Sequence, residues 1–226
     1  MRAVNRPHPS GLMTKTSSQK RIIVGISGAS GVIYGIRMLE VLRHAGIETH
    51  LAMSKAAEIT LAYETNFKVK DVRALASVVY NNVDIGAGIS SGSFKTQGMI
   101  IAPCSIRTVS EITTGVTSSL LTRAADVVLK ERRRLVLMVR ETPLHVGHLR
   151  TLTAAAEIGA IIATPVPAFY TAPKTIDDIV NHTVGRALDL FDIDTGLVKR
   201  WGEPDDREDE APQQSKTKRK TRRRPT

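Results

Sequence analysis

A strand that runs directly into a turn of small residues, and then into a helix, constrains this chain more than any other feature. Residues 22–26 are apolar or glycine, residues 27–31 are only Ser, Gly and Ala, and apolar residues recur at helical spacing over 33–42. Small turn residues let a backbone approach a phosphate, and a helix N-terminus adds unpaired N–H groups. The glycine spacing matches neither a dinucleotide fingerprint nor a P-loop. The segment therefore predicts a phosphate site, with Ser27 and Ser30 as added donors; the alternative is an ordinary tight βα turn.

Strands and helices alternate along the rest of the chain. Further apolar runs predict strands at 48–53, 98–102, 135–139 and 161–163. Helical spacing predicts helices from about residue 54 and at 107–113, 117–131, 147–158 and 176–191. The run at 135–139 is continuously apolar, as in a strand buried on both faces. The alternation predicts a parallel sheet with helices on both faces, an α/β fold.

Charge is concentrated at the two ends of the chain. Of the net +10, five Lys/Arg lie in 1–21 and seven in 216–226, whereas 203–215 hold six acids and one Arg. We therefore expect disordered segments at 1–19 and 203–226 around one folded domain at 20–202, and we expect both ends to be dispensable. The nearly neutral domain gives no reason to expect specific nucleic-acid binding. The chain has no predicted membrane span and one cysteine, so we expect a cytoplasmic protein.

Polar residues follow every predicted strand, where open α/β sheets bind their ligands. Hydroxyl, guanidinium and ammonium groups at one rim favour a phosphorylated, planar ligand. Scattered solvated charges are the alternative for any single residue. The candidates are Gly28, Ala29, Ser30, Ser54, Glu64, Ser105, Ile106, Arg107, Thr108, Arg123, Lys130, Arg140, Glu141 and Tyr170.

Three weaker signals are set aside. The segment Asp177-Asp-Ile-Val-Asn181 lacks a third carboxylate and begins a helix, where acids complement the dipole. His145 and His148 have no third ligand in the nearby sequence, so no metal site is predicted. Cys104 directly follows a buried strand and is interpreted as a packing residue.

These residues resemble the UbiX family of flavin prenyltransferases over about 20–202. The matching motifs are Gly25-Ile-Ser-Gly-Ala-Ser-Gly31, Met53-Ser-Lys-Ala-Ala57, Ile89-Ser-Ser-Gly-Ser-Phe94, Pro103-Cys-Ser105, the segment 121–133, Arg140-Glu-Thr-Pro-Leu144, Pro167-Ala-Phe-Tyr170 and Arg200-Trp201. The resemblance implies a Rossmann-like (flavodoxin-like) three-layer sandwich that binds FMN and forms a dodecamer with active sites at subunit contacts. It also implies transfer of a dimethylallyl group from dimethylallyl monophosphate to N5 and C6 of reduced FMN, for use by a UbiD-type decarboxylase.

The resemblance also assigns roles to individual residues. The residues implied to contact FMN are Gly28, Ala29, Ser30, Ser54, Ser105, Ile106, Arg107, Thr108 and Arg140. Those implied to hold the prenyl phosphate are Lys130, Tyr170 and Arg186, with Arg123 close by. Proton and cation chemistry is implied for Ser30, Glu64 and Glu141, and Lys130 is counted with them as catalytic. We expect the reaction to be metal-independent.

Two departures and two alternatives accompany the resemblance. Ser118 and Ser119 replace pairs that are often more polar or contain Gly, and the extension after about residue 203 has no counterpart of use. One alternative is a flavin-dependent decarboxylase of cysteine-type substrates; Arg107 stands where that family has Asn. The other is a non-catalytic FMN-binding accessory subunit. The receiving decarboxylase, the choice of monophosphate or diphosphate donor, the role of the tail and the true start codon stay open.

Overall fold

The computed structural model describes residues 20–202, and the expectations for 1–19 and 203–226 fall outside that range. A six-stranded sheet lies at its centre, in the order β3-β2-β1-β4-β5-β6, and every pairing is parallel. The predicted parallel α/β sheet is therefore confirmed. The strands are β1 Arg21–Ile26, β2 Glu48–Met53, β3 Val78–Tyr80, β4 Gly98–Cys104, β5 Arg134–Val139 and β6 Ala160–Ile162.

Seven α-helices accompany the described strands, and the last of them follows β6. They are α1 Val32–His44, α2 Lys55–Glu64, α3 Val69–Arg73, α4 Ile106–Thr113, α5 Leu120–Lys130, α6 Val146–Glu157 and α7 Ile176–Asp189. The predicted helices agree to within a few residues, and Thr175 caps α7 by accepting from the N–H of Asp178. The short elements β3 and α3 were not predicted. A strand of three partly exposed residues is too short to show a periodic pattern.

The strands divide their side chains between two separate cores. In β1, for example, Ile22, Val24 and Ile26 pack with α1 and α7 on one face. Ile23 points to the other face, where it joins side chains of α4 and α5. Because successive strand residues face opposite sides, apolar residues at every position are needed to bury both faces. This explains the continuous apolar runs and gives the three-layer sandwich.

The strand order reverses direction at β1. From β1 the chain moves first to β2 and β3, then returns to β4 on the other side and continues to β5 and β6. Helices therefore leave β1 and β4 toward opposite faces, and a crevice opens between the loops after these two strands. This Rossmann-like arrangement places the turn at 27–31 beside Ser105. None of the helices within 20–202 combines the length and apolar composition of a membrane span.

Candidate active site

Ser27 joins the ends of the two strands that flank the crevice. Its hydroxyl donates to the carbonyl of Pro103 at 2.9 Å and accepts from the N–H of Ser105 at 2.7 Å. The side chain is almost fully buried. The hydroxyl is therefore used inside the protein, and the expectation that Ser27 donates to a ligand is wrong.

A cleft of about 350 Å³ opens beside this junction; we call it the switch-point cleft. Its lining includes Gly28, Ser54, Ser105, Arg107 and Thr108, which come from the ends of β1, β2 and β4. The structure thus brings together five of the residues predicted to contact FMN. The other lining residues are Lys55, Ala56, Asn82, Glu111, Ser118, Ser119, Leu121 and Thr122.

The N-terminus of α4 supplies hydrogen-bond donors to the cleft. Ser105 caps the helix by accepting from the N–H of Thr108, and its hydroxyl lies 3.0 Å from that of Thr108. The N–H groups of Ile106 and Arg107 begin the helix and have no intrahelical acceptor. These donors, two hydroxyls and the positive end of the helix dipole suit an anion such as the phosphate of FMN.

Gly28 lets two backbone segments approach at the wall of the cleft. A Cβ atom at this position would lie 2.4 Å from the Cβ of Ala56, which is far below van der Waals contact. Ala56 belongs to the first turn of α2, and Ser54 caps that helix through the N–H of Ala57. The glycine therefore keeps the turn after β1 close to the start of α2.

Two residues of the cleft, Glu111 and Asn82, were missed by sequence reasoning. Glu111 accepts from Arg107 at 2.9 Å and from the hydroxyl of Ser118 at 2.6 Å. The Arg107–Glu111 spacing of four residues on a helix was a signal that could have found this pair. Asn82 accepts from the N–H groups of Leu120 and Leu121 at the start of α5. Nothing in its local sequence marks that role.

The N-terminus of α1 is occupied by a carboxylate of the chain itself. One oxygen of Glu64 accepts from the N–H groups of Gly31 and Val32, at 2.8 and 3.1 Å. Gly31 has φ +95°, a conformation that favours glycine. The prediction that a phosphate binds these N–H groups is therefore wrong, because a carboxylate already satisfies them.

The remaining residues of the turn after β1 lie just outside the cleft lining. Ala29 is buried, whereas Ser30 is exposed. No other described residue forms a hydrogen bond with the Ser30 hydroxyl. This hydroxyl can therefore donate to a ligand, as the resemblance implies.

Arg140 and Glu141 lie at the end of β5, next to β4. The N–H of Arg140 donates to the carbonyl of Cys104 at 3.1 Å, which places the exit of β5 beside the start of α4. The Arg140 side chain is exposed and that of Glu141 is half-buried. Both residues therefore lie next to the switch-point cleft, although neither lines it.

A second pocket, of about 340 Å³, lies between the segment after β6 and α7; we call it the Tyr170 pocket. Tyr170, His182 and Arg186 line it. The ring of Trp201 packs edge-on against Tyr170 at 5.3 Å, and Arg186 pairs with Asp189 at 2.6 Å. Two of the residues predicted to hold the prenyl phosphate are thus brought together.

Lys130 and Arg123 line neither the switch-point cleft nor the Tyr170 pocket. Lys130 is the last residue of α5, and its ammonium pairs with Glu131 at 2.8 Å. This helix returns from the carboxyl edge of the sheet to the start of β5, so its end lies at the amino edge. The expectation that Lys130 lies on the rim is therefore wrong within one chain. Arg123 pairs with Asp126 at 2.7 Å and lines neither pocket.

The residues set aside on sequence grounds have structural contacts. Cys104 is fully buried, and burial raises the pKa of its thiol, so the reactive thiolate is disfavoured. The Nδ1 atom of His145 accepts from the N–H groups of Gly147 and His148, which makes it the cap of α6. Among residues 20–202, no three His, Cys, Asp or Glu side chains are grouped in a way that could hold a metal ion.

The sheet order and the donor-lined cleft define a Rossmann-like nucleotide-binding protein, and the model of the Flavoprotein family matches residues 11–188. The flavin prenyltransferase UbiX of Salmonella typhimurium is 62% identical over 185 residues, which cover 80% of this chain and 98% of the relative. The chain belongs to the UbiX flavin prenyltransferases, within the Flavoprotein family.

Solved structures agree with this assignment. The crystal structure of a UbiX protein in complex with FMN and dimethylallyl pyrophosphate has a TM-score of 0.81 at 50% identity. The match covers 83% of this chain and 100% of the UbiX chain. A dodecameric FMN-dependent UbiX-like decarboxylase from Escherichia coli O157:H7 has a TM-score of 0.79 at 47% identity, with 81% and 100% covered.

Proposed function

We propose that this protein is a flavin prenyltransferase that transfers a dimethylallyl group from dimethylallyl monophosphate to N5 and C6 of reduced FMN. The prenylated FMN would serve a UbiD-type decarboxylase, and the reaction would take place in the cytoplasm. The observation that carries the proposal is the pairing of two sites. The switch-point cleft has donors for FMN, and the Tyr170 pocket has donors for a prenyl phosphate.

FMN fits the switch-point cleft by the chemistry of its donors. The N–H groups of Ile106 and Arg107, with the hydroxyls of Ser105 and Thr108, would hold its phosphate. Gly28, Ala29, Ser30, Ser54 and Arg140 would contact the rest of the molecule. Reduced FMN, when bound, supplies the carbon and nitrogen nucleophiles of the reaction.

The Tyr170 pocket would hold the phosphate of the prenyl donor. Breaking the allylic C–O bond leaves negative charge on that phosphate, and the Tyr170 hydroxyl and the Arg186 guanidinium can stabilise it. Lys130 and Arg123 would add two positive charges. Three positive charges and one hydroxyl donor would stabilise the leaving phosphate without a metal ion, so we propose metal-independent catalysis.

A second copy of the chain would supply Lys130 and Arg123. Within one chain, Lys130 lies at the amino edge of the sheet, whereas Tyr170 follows β6 and so lies at the carboxyl edge. We therefore propose that the donor site forms where subunits meet, in a homo-oligomer. The UbiX-like relative from E. coli O157:H7 is dodecameric, which supports a dodecamer here.

Two carboxylates and one hydroxyl would manage the developing cation and the proton. Glu141 flanks the cleft and would stabilise positive charge or accept the proton released at C6. Glu64 lies beside the turn after β1 and holds it through Gly31. Ser30 carries an exposed hydroxyl in the same turn, where it would relay the proton.

The test is anaerobic incubation of the protein with reduced FMN and dimethylallyl monophosphate, followed by mass spectrometry of the extracted flavin. We expect a flavin heavier by one dimethylallyl group, formed equally well with EDTA. Parallel reactions with dimethylallyl diphosphate identify the preferred donor, and a UbiD-type apo-decarboxylase tests delivery of the product.

Other results would support the alternatives. FMN binding without any change in flavin mass would favour an accessory subunit. Release of CO₂ from a peptide with a C-terminal cysteine would favour the cysteine-type decarboxylase. Activity that disappears with EDTA and returns with Mg²⁺ would overturn the proposal that the reaction needs no metal.

A further inference from the structure

His182 is a buried histidine in the wall of the Tyr170 pocket. The proposed function assigns it no role. Its side chain is 7% exposed, and it also borders a smaller cavity of about 250 Å³. The Nε2 atom lies 3.4 Å from the Tyr170 hydroxyl, and the two rings meet edge to face at 5.8 Å. The Nδ1 atom is buried and has no hydrogen-bond partner among the described residues.

The surroundings of His182 favour a neutral ring. Burial lowers the pKa of this histidine, and the positive charge of Arg186, one helical turn further on, lowers it again. Asp189 has the opposite effect but pairs with Arg186 and Arg200. The imidazole therefore carries one proton, on either Nδ1 or Nε2.

Hydrogen bonding decides between the two tautomers. A proton on Nδ1 would leave a buried N–H without an acceptor, and Nε2 would then take the Tyr170 proton. A proton on Nε2 leaves only an unpaired acceptor at Nδ1, which is the more common situation in proteins. In that tautomer Nε2–H donates to the Tyr170 oxygen, and the phenolic proton points away from the imidazole. Its acceptor within the chain is the carbonyl oxygen of Lys199 at 3.5 Å, a long contact that the phosphate of a bound prenyl donor can replace.

We propose that His182 is a positioning residue, which holds the Tyr170 hydroxyl so that its proton points toward the phosphate of the prenyl donor. Hydrogen bonds of this kind are often long in the absence of substrate and shorten in the complex. The inference rests on the proposed function, because it assigns the prenyl phosphate to the Tyr170 pocket.

The experiment is a double-mutant cycle between His182→Leu and Tyr170→Phe, with steady-state prenylation and FMN titration as readouts. We expect His182→Leu to lower kcat/KM for dimethylallyl monophosphate about tenfold, while the Kd for FMN stays unchanged. Adding His182→Leu to Tyr170→Phe should cause no further loss, because the histidine acts through the tyrosine. His182→Gln keeps an N–H donor and should recover most of the activity.

If His182→Leu lowers kcat/KM by the same factor in the wild type and in Tyr170→Phe, the proposal is overturned. A His182→Leu variant with wild-type kinetics would also overturn it. His44→Leu changes an exposed histidine on α1 and is the matched control. If His182→Leu does not fold, His182→Gln and His182→Asn replace it, since only glutamine reaches the position of Nε2.

If the wild type forms no prenylated flavin, the proposed function fails. Calorimetry of dimethylallyl monophosphate binding then tests His182 by itself, and equal affinity of wild type and His182→Leu would refute it.

Discussion

The serines that follow the strands already use part of their hydrogen-bonding capacity within the chain. A hydroxyl has one proton to donate and two lone pairs. Ser27 donates its proton to the Pro103 carbonyl and accepts from the N–H of Ser105, so it has no donor left for a ligand. Ser54 only accepts, from the N–H of Ala57, and keeps its proton. Serines with the same local sequence setting therefore differ in what they can offer to FMN.

Removal of one phosphate donor should slow prenylation without affecting FMN. We expect Lys130→Ala and Arg186→Ala each to cost about 2–4 kcal/mol of transition-state stabilisation, by analogy with an oxyanion-hole donor. The Kd for FMN should stay nearly unchanged, because neither residue lines the switch-point cleft. Single-turnover prenylation measures the first effect and flavin titration the second. Lys70→Ala, on the exposed part of α3, is the control, and an equal loss there would contradict the assignment.

Gly28 should not tolerate a side chain. Its added Cβ would lie 2.4 Å from that of Ala56, so we expect Gly28→Ala to cost about 1–3 kcal/mol of folding stability and to weaken FMN binding. Denaturant unfolding and flavin titration measure the two effects. Gly88→Ala places its Cβ 3.8 Å from Phe94 and should be tolerated. The second change Ala56→Gly should restore part of the stability of Gly28→Ala; if it does not, the steric explanation is wrong.

At the level of elements, α1 depends on a residue at the end of α2. Glu64 caps the first turn of α1 and places a negative charge at the positive end of its dipole. We expect Glu64→Ala to cost about 1 kcal/mol of stability and Glu64→Gln less, since the amide oxygen still accepts. Denaturant unfolding checks this, with the exposed Glu157→Ala as control. A Glu64→Gln variant that is stable but slow in prenylation would separate a chemical role from the cap.

A buried histidine links β2 to two other segments of the chain. His50 of β2 is 3% exposed, and its ring nitrogens lie 2.8 Å from Glu48 and 2.9 Å from the hydroxyl of Tyr80 in β3. Phe94 packs edge-on against the ring at 4.8 Å. Burial lowers the pKa of His50, although Glu48 opposes the shift. The folded protein therefore resists protonation of this histidine.

Folding stability should consequently fall in mild acid. Between the ordinary histidine pKa of about 6.5 and the lower folded value, the unfolded chain binds more protons, so stability falls as the pH falls. His182 has the same sign. Denaturant unfolding at fixed protein concentration, at about pH 7.5 and about pH 5.5, measures the change. His50→Gln should reduce the pH dependence, whereas His44→Gln should leave it as in the wild type. An unchanged slope in His50→Gln would contradict the prediction.

At the scale of the whole molecule, the proposed donor site needs two copies of the chain. Lys130→Ala and Arg186→Ala oligomers should each be nearly inactive, because each lacks one donor at every site. When the two variants are unfolded, mixed and refolded together, about a quarter of the sites should recover both residues. Prenylation by the mixture, compared with the separately refolded variants, measures this recovery. No recovery in oligomers shown by mass spectrometry to be mixed would mean that both residues act within one subunit.

The sequence by itself determined the layers of this protein and much of the switch-point cleft. Continuous apolar runs and helical spacing are local patterns, so the parallel sheet and its flanking helices could be predicted. The caps Ser54 and Ser105 follow strands directly, and residues after parallel strands meet at one edge. Gly28, Arg107 and Thr108 were found for the same reason.

Only the tertiary structure decided which side chains meet across long stretches of sequence. Strand order is not encoded in periodicity, so the contact of Ser27 with Ser105 and the cap of α1 by Glu64 could not be predicted. The direction of α5 takes Lys130 away from the rim on which the spacing had placed it. The pairing of His182 with Tyr170 depends on how the segment after β6 folds onto α7. Each of these contacts joins residues whose local sequences carry no signal of one another, and packing of the whole chain brings them together.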